Sequence, residues 1–206
     1  ILVQDVSEFT LENDIITGSS LFRTSTSAAV ALVGVQKATL TNIYTANTTK
    51  GVMIEGSNDV RIENAFFQNH EGLATTSATI GAGVWVDASS SVTIEASRFV
   101  GANLHAPLPA GEASNAILVQ GDSSNVTVQN SSFTNWLSTM TFNQINGALI
   151  DHCTVQASGL STSNMLQLGS MTTEANDITI MSSTFTQNTQ SPGFDGMLFL
   201  NGSGCM

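Results

Sequence analysis

Basic residues are scarce in this chain, with five lysines and arginines against 16 acids over 206 residues and a formal net charge of -11. The five, Arg23, Lys37, Lys50, Arg61 and Arg98, lie far apart in sequence, whereas a nucleic-acid backbone is bound by clustered cations. Nucleic acid is therefore not an expected partner. Cys153 and Cys205 are the only cysteines, too few for a disulfide framework and without metal-site spacing. No apolar run approaches the roughly 20 residues of a membrane span, so no membrane insertion is expected. The opening ILVQDVSEF has neither the charged nor the apolar region of a signal peptide. It also lacks an initiator Met, which reads as a processed or excised piece of a longer chain. No linker-like stretch divides the sequence, and residues 1–206 are expected to form one domain around one core. Abundant Ser, Thr, Asn and Gly with few charges points to a β-rich protein of extracellular or cell-surface location.

What is present is a repeat. In Gly51 to Phe67, GVMIEGSNDVRIENAFF, two alternating runs flank the turn-forming Gly56-Ser57-Asn58-Asp59, and Asn64 and Phe67 follow. Aligned on the Ile62 position, the chain gives Leu11, Leu40, Ile62, Ile94, Val128, Ile150 and Ile180, at intervals of 29, 22, 32, 34, 22 and 30 residues. Five places later a large apolar residue recurs as Ile16, Phe67, Phe99, Phe133, Val155 and Phe185, with Tyr44 one place early in its unit. Constant core spacing with variable filler marks a solenoid, whose units bury their apolar faces only by stacking. Period-two alternation makes the units strands. Val52, Ile54, Val60 and Ile62 should point inward, and Met53, Glu55, Arg61 and Glu63 outward.

Small polar residues fall at one corner of successive units, as in Ala88-Ser89-Ser90-Ser91 and Gly121-Asp122-Ser123-Ser124-Asn125, where tight turns need them. Asn13, Asn42, Asn64, Ala96, Asn130, His152 and Ser182 share the place after the second strand. They suggest a partial, inward asparagine ladder between coils. Extra residues collect at another corner, at 68–83, 100–115 and 186–196, and insertions on one face are where solenoids carry specificity. Neither end shows a cap, so the stack is expected to continue beyond this segment or onto another chain.

The pattern in Val84-Trp85-Val86-Asp87-Ala88-Ser89-Ser90-Ser91-Val92-Thr93-Ile94-Glu95-Ala96-Ser97-Arg98-Phe99 resembles the right-handed parallel β-helix repeat of the pectin-lyase-like superfamily. The resemblance covers nearly the whole chain. It implies an all-β right-handed solenoid of about seven coils with an eighth begun, open at both ends. That superfamily includes lyases, glycoside hydrolases, tailspikes, adhesins and structural surface proteins, so the fold does not choose among them. Ala148-Leu149-Ile150-Asp151-His152-Cys153 resembles the aspartate-histidine stretch of pectate lyases, and Val84-Trp85-Val86-Asp87 echoes its first half. No Arg-x-Pro-x-x-Arg accompanies them, and the polygalacturonase motifs are absent, with only Arg61-Ile62-Glu63 near Arg-Ile-Lys. If the chain is an enzyme, Asp87, Asp151, His152 and Arg61 are the catalytic candidates; otherwise His152 is a structural residue of the corner.

Outward carboxylates should adjoin between coils about 4.8 Å apart, Glu55 beside Asp87 and Glu63 beside Glu95. Such pairs could bind calcium or imitate the paired carboxyls of a glycosidase. The competing reading is a solvated face, with Arg61 and Arg98 relieving the repulsion. No other cofactor is expected. Trp85 and Met53 should sit outward beside the long loops, where an exposed ring stacks on a sugar, with His70, Glu71, His105 and Glu112 as polar contacts. The alternative is that a loop or a partner chain covers the ring. Sequons occur at Asn47, Asn125, Asn130 and Asn201, each weak evidence in so Ser/Thr-rich a chain. Asn47, Asn125 and Asn201 fall at turns open to a glycan, whereas Asn130 belongs to the inward ladder. Cys153 and Cys205 occupy different places about two coils apart, which exceeds disulfide reach, so buried free thiols or a Cys205 bond to an outside segment are expected. The favoured function is a structural or adhesive segment of an extracellular filament or surface protein, stacking on further β-helix segments, with glycans as a second class of contact. The alternative is a polysaccharide lyase or glycoside hydrolase.

Overall fold

In a computed structural model, residues 1–18, 28–70, 80–101, 113–136, 138–156, 165–169, 173–186 and 198–200 are described here. The chain is all-β among them and winds through three parallel sheets, one of eight strands and two of seven, which makes seven full coils and an eighth begun. The first sheet stacks Leu2–Gln4, Ala28–Val33, Lys50–Glu55, Ile80–Asp87, Ala113–Gln120, Ser138–Phe142, Leu166–Leu168 and Leu198–Leu200. The second stacks Phe9–Glu12, Ala38–Thr41, Asn58–Glu63, Ser90–Glu95, Ser123–Gln129, Ile145–Asp151 and Ala175–Met181. The third stacks seven three-residue strands, from Ile15–Thr17 to Thr184–Thr186. The apolar anchor of each unit thus lies in a short strand of its own.

The register follows the repeat. Leu11, Leu40, Ile62, Ile94, Val128, Ile150 and Ile180 pair in succession. Val52, Ile54, Val60 and Ile62 are buried, while Glu55 and Arg61 are exposed and Met53 and Glu63 half-buried. In the third sheet Phe67, Phe99 and Phe133 pair and their rings stack inside the coil at 4.6 and 4.7 Å between centroids. Gly51 and Gly83 lie against that stack: a Cβ at 51 would come within 2.7 Å of the Phe67 ring, and one at 83 within 2.8 Å of Phe99. Glycine is required there because a backbone carbonyl of the next coil and the aromatic ring together take the space of a side chain. Trp136 is the largest fully buried side chain, and nothing in the repeat pattern marks it.

The corners impose the hardest local constraint. Among the described residues, 18 that are not glycine have positive φ, between 46° and 61°, and twelve of these are Asn or Asp. This left-handed region costs an ordinary L-residue about 1–2 kcal/mol and is least unfavourable for Asn and Asp. Asn13, Asn42, Asn64, Ala96, Asn130, His152 and Ser182 all adopt it. That is the reason for asparagine at this place, and it corrects the inward ladder, because all seven residues are exposed. Asn42 donates to Asn13 at 3.0 Å and Asn64 to Asn42 at 2.5 Å, outside the coil.

The inward place is the next residue along, and there the ladder is made of serine. Ala65 N–H donates to Ser97 Oγ and Ser97 N–H to Ser131 Oγ, both at 3.1 Å, and Cys153 N–H to Ser183 Oγ at 3.0 Å. The first corner repeats this with Val35 to Ser57 at 3.0 Å, Ser57 to Ser89 at 3.1 Å and Ser89 to Ser123 at 3.2 Å. Most of these hydroxyls also donate to a carbonyl two residues back in their own coil, as Ser89 does to Asp87 at 2.7 Å. Buried corner amides that no strand could reach are thereby satisfied. Cys153 is free and buried and stands in the serine series. Burial pushes its thiol above the usual 9.0, a shift opposed by the Ser131 amide that donates to it.

Because Phe99 sits mid-stack with 0% exposure, Phe99→Ala should cost about 3–5 kcal/mol. Thr93→Ala, on the outward side of the second sheet, should change stability by no more than about 0.5 kcal/mol. Chemical denaturation of the two variants is the check.

Candidate functional site

Two outward surfaces hold the residues on which chemistry was expected, the end of the first sheet and the edge of the second. On the first sheet Glu55 pairs with Asp87 and Met53 with Trp85. Asp87 is half-buried, accepts from Gln120 Nε2 at 3.3 Å, and its Oδ1 lies where a Cβ at position 121 would be. The carboxylate thus closes over the left-handed Gly121 of the next coil. Trp85 is half-buried, and Lys50 Nζ sits 4.0 Å from the centre of its ring. One face of the indole is therefore occupied by an ammonium, a favourable cation–π contact, and is closed to a sugar. Lys50 is only 5% exposed. Burial draws its pKa below 10.5, and the Glu55 carboxylate opposes that shift.

On the second sheet Glu63, Glu95, Gln129 and Asp151 pair in succession. Arg61 joins the first two acids, with Nε 3.3 Å from Glu63 Oε2 and Nη2 2.8 Å from Glu95 Oε2. The guanidinium occupies the bridging position that a calcium ion would need. Arg98 takes no part in this. It lies 5.3 Å over the ring of Phe66, which is itself 5.3 Å from Tyr44, because Arg98 belongs to the third sheet and faces away from the carboxylates. His152 Nδ1 lies 2.7 Å from the Oδ1 of the adjacent Asp151 in a geometry that leaves this buried oxygen without a hydrogen bond, and His152 is exposed with a left-handed backbone. Asp87, Arg61 and the Asp151–His152 pair are divided between sheets and coils and do not converge.

His70 corrects the expectation of a polar contact on a loop, for it is 0% exposed. Where the anchor of its neighbouring coil is Thr45 rather than an aromatic residue, the imidazole fills the interior, edge-on to Phe67 at 6.2 Å. Its Nε2 lies 3.0 Å from Thr45 Oγ1 and its Nδ1 3.0 Å from Thr48 Oγ1. Nε2 also lies 3.1 Å from Thr45 O and Nδ1 3.2 Å from Thr48 O, while the Thr48 hydroxyl donates to Lys50 O at 2.7 Å, so both ring nitrogens have partners inside the coil. The ring is committed to structure. The offset of Tyr44, visible in the sequence, was the signal that another group must fill this coil.

His105, Glu71, Glu112, Asn201 and Cys205 lie outside the described residues. Of the other sequons, Asn125 and Asn130 are exposed and Asn47 is half-buried. The outward turn of Asn130 removes the reason for setting it apart. Among the described residues no group of three or more His, Cys, Asp or Glu side chains is placed to hold a metal ion.

Three continuous parallel sheets, an inward aromatic stack and serine-lined corners define a parallel β-helix. The chain belongs to the right-handed beta helix region family, which matches residues 1–135 and 82–205. No curated protein and no solved structure matches the chain.

Removing the bridging cation should expose the carboxylate pair. Arg61→Gln should lower stability by up to about 1 kcal/mol, as for an exposed ion pair, and should make the melting temperature rise with millimolar calcium. The unmodified protein should show no such rise. Lys50 gives a pH signature: the unfolded chain holds its proton up to 10.5 while the folded chain releases it earlier, so stability is gained as pH rises towards that value. The melting temperature of Lys50→Met minus that of the unmodified protein should therefore fall between neutral pH and about pH 10.

Proposed function

We propose that this chain is a structural or adhesive segment of a β-solenoid surface or filament protein, working outside the cell as a rigid rod that stacks on further β-helix coils. The observation that carries this reading is the edge of the first coil. Leu2 is 69% exposed, Ile15 77%, Ile1 52% and Val6 37%, and among the described residues Met181 is the only other large hydrophobic so exposed. One coil further on, Ala31, which pairs with Leu2, and Val35, the counterpart of Val6, are buried. An apolar strand edge with unpaired N–H and C=O groups is a template for another strand. Three such edges at one end fit a coil of a neighbouring β-helix. The dispersal of Asp87, Arg61, Asp151 and His152 also favours this reading over polysaccharide cleavage.

Small-angle scattering over a concentration series should show rods lengthening in steps. Leu2→Lys combined with Ile15→Lys should stop the lengthening while leaving the melting temperature nearly unchanged. Particles of one length at every concentration would overturn the reading. So would cleavage of acidic or neutral polysaccharides that is abolished by Asp87→Ala or Asp151→Ala.

A further inference from the structure

The corner between the first and second sheets holds a cavity of about 260 Å³, lined over three coils by Asp122, Gln144, Asn146, Glu174 and Asn176, with Ser123 and Ile145 at its base. Asp122 follows the Gly121 over which Asp87 closes, so the hollow begins beside the end of the first sheet. Ser123 pairs with Ile145 and Ile145 with Ala175, so Asp122, Gln144 and Glu174 form one rank on successive coils, and Asn146 and Asn176 belong to a second rank. Coils repeat about every 4.8 Å, and residues two apart in a strand lie about 6.6 Å apart. The result is a grid of planar polar groups around a hollow. Ser123 and Ile145, 0% and 3% exposed, close its floor.

The composition of this grid selects the ligand. Carboxylates accept hydrogen bonds, while side-chain amides both donate and accept. Alternating the two matches hydroxyl groups, which also do both. Gln144 Nε2 already donates to Asp122 Oδ1 at 2.8 Å, which holds one amide and one carboxylate in place before anything binds. Among the described residues no lysine or arginine lines the cavity, so its two acids repel a uronate or sulfated sugar. A calcium ion fits poorly as well. Asp122 and Glu174 are two coils apart, about 9.6 Å at that spacing, whereas oxygens sharing a calcium ion each lie about 2.3–2.6 Å from it. The volume falls just below the roughly 300 Å³ at which drug-sized pockets begin, which suits one ring of a chain that continues into solvent.

We propose that this cavity is a subsite for a single ring of a neutral, hydroxyl-rich glycan. The inference rests on the adhesive reading above and gives it a ligand class. The test titrates the protein with neutral oligosaccharides of glucose, mannose and galactose, with an oligouronate and with calcium chloride, read by saturation-transfer NMR and calorimetry. At least one neutral oligosaccharide should bind with a dissociation constant of about 1 mM or tighter. Glu174→Gln and Gln144→Asn should each weaken it about tenfold or more, since the first removes a carboxylate acceptor and the second shortens the amide held on Asp122. Asn keeps the left-handed backbone of position 144 accessible, and residues 144 and 174 are exposed, so both variants should keep the parent melting temperature and rod assembly. No saturation by any neutral oligosaccharide, binding indifferent to both substitutions, or preference for the oligouronate or calcium would each overturn the proposal. Rod assembly measured on the same samples reports separately on the structural reading, so the two can fail independently.

Discussion

The fold depends on closing a coil of three strands in so few residues that the backbone must pass repeatedly through the left-handed region. Each such corner frees amides that no strand can pair, and they point inward, where an unsatisfied donor costs about 1–3 kcal/mol. The serine series Ser57, Ser89 and Ser123 at one corner, and Ser97, Ser131, Cys153 and Ser183 at the other, meets that cost by accepting from the neighbouring coil. A corner is therefore stable only when the next coil is present. This couples the rungs beyond the ladders of the sheets and makes the rod a cooperative unit of neighbours.

Between the corners the demands are looser, and the chain shows it. The anchor position accepts Ile16, Thr45, Phe67, Phe99, Phe133, Val155 and Phe185 in turn. Where Thr45 leaves the interior short of volume, His70 enters from the following coil. Packing density is restored, and the polar atoms of both residues satisfy one another. Outside, like charges brought together by parallel register are managed locally. Arg61 joins Glu63 to Glu95, and Lys50 lies over Trp85 with Glu55 nearby. These contacts tie neighbouring coils together at the surface.

Much of this was legible from residue spacing. The seven positions from Leu11 to Ile180 gave the register, and period-two alternation gave the inward and outward sides of the Val52 and Val60 runs. The asparagines were visible but misread, because Asn at a fixed place fits both a buried ladder and a left-handed corner, and only the backbone angle separates the two. The serines one residue further on carried the ladder, and their recurrence at Ser57, Ser89, Ser123 and at Ser97, Ser131, Ser183 was a signal open to reading. Arg98 reads as a partner of the carboxylates because nothing in the repeat separates the anchor strand from the second sheet, whereas Arg98 lies in a third sheet and over Phe66.

The sequence by itself determined that the chain is a β-solenoid, where its coils begin and which apolar residues fill it. Those properties come from a short repeat whose pattern is local and written anew in each unit. Only the tertiary structure decided that His70 is inside, that Arg61 lies between Glu63 and Glu95, and that Asp122, Gln144 and Glu174 share one hollow. Such facts depend on which residues of different coils become neighbours across 22 to 34 residues of chain, and on the direction each corner turns its side chains. No single repeat contains either.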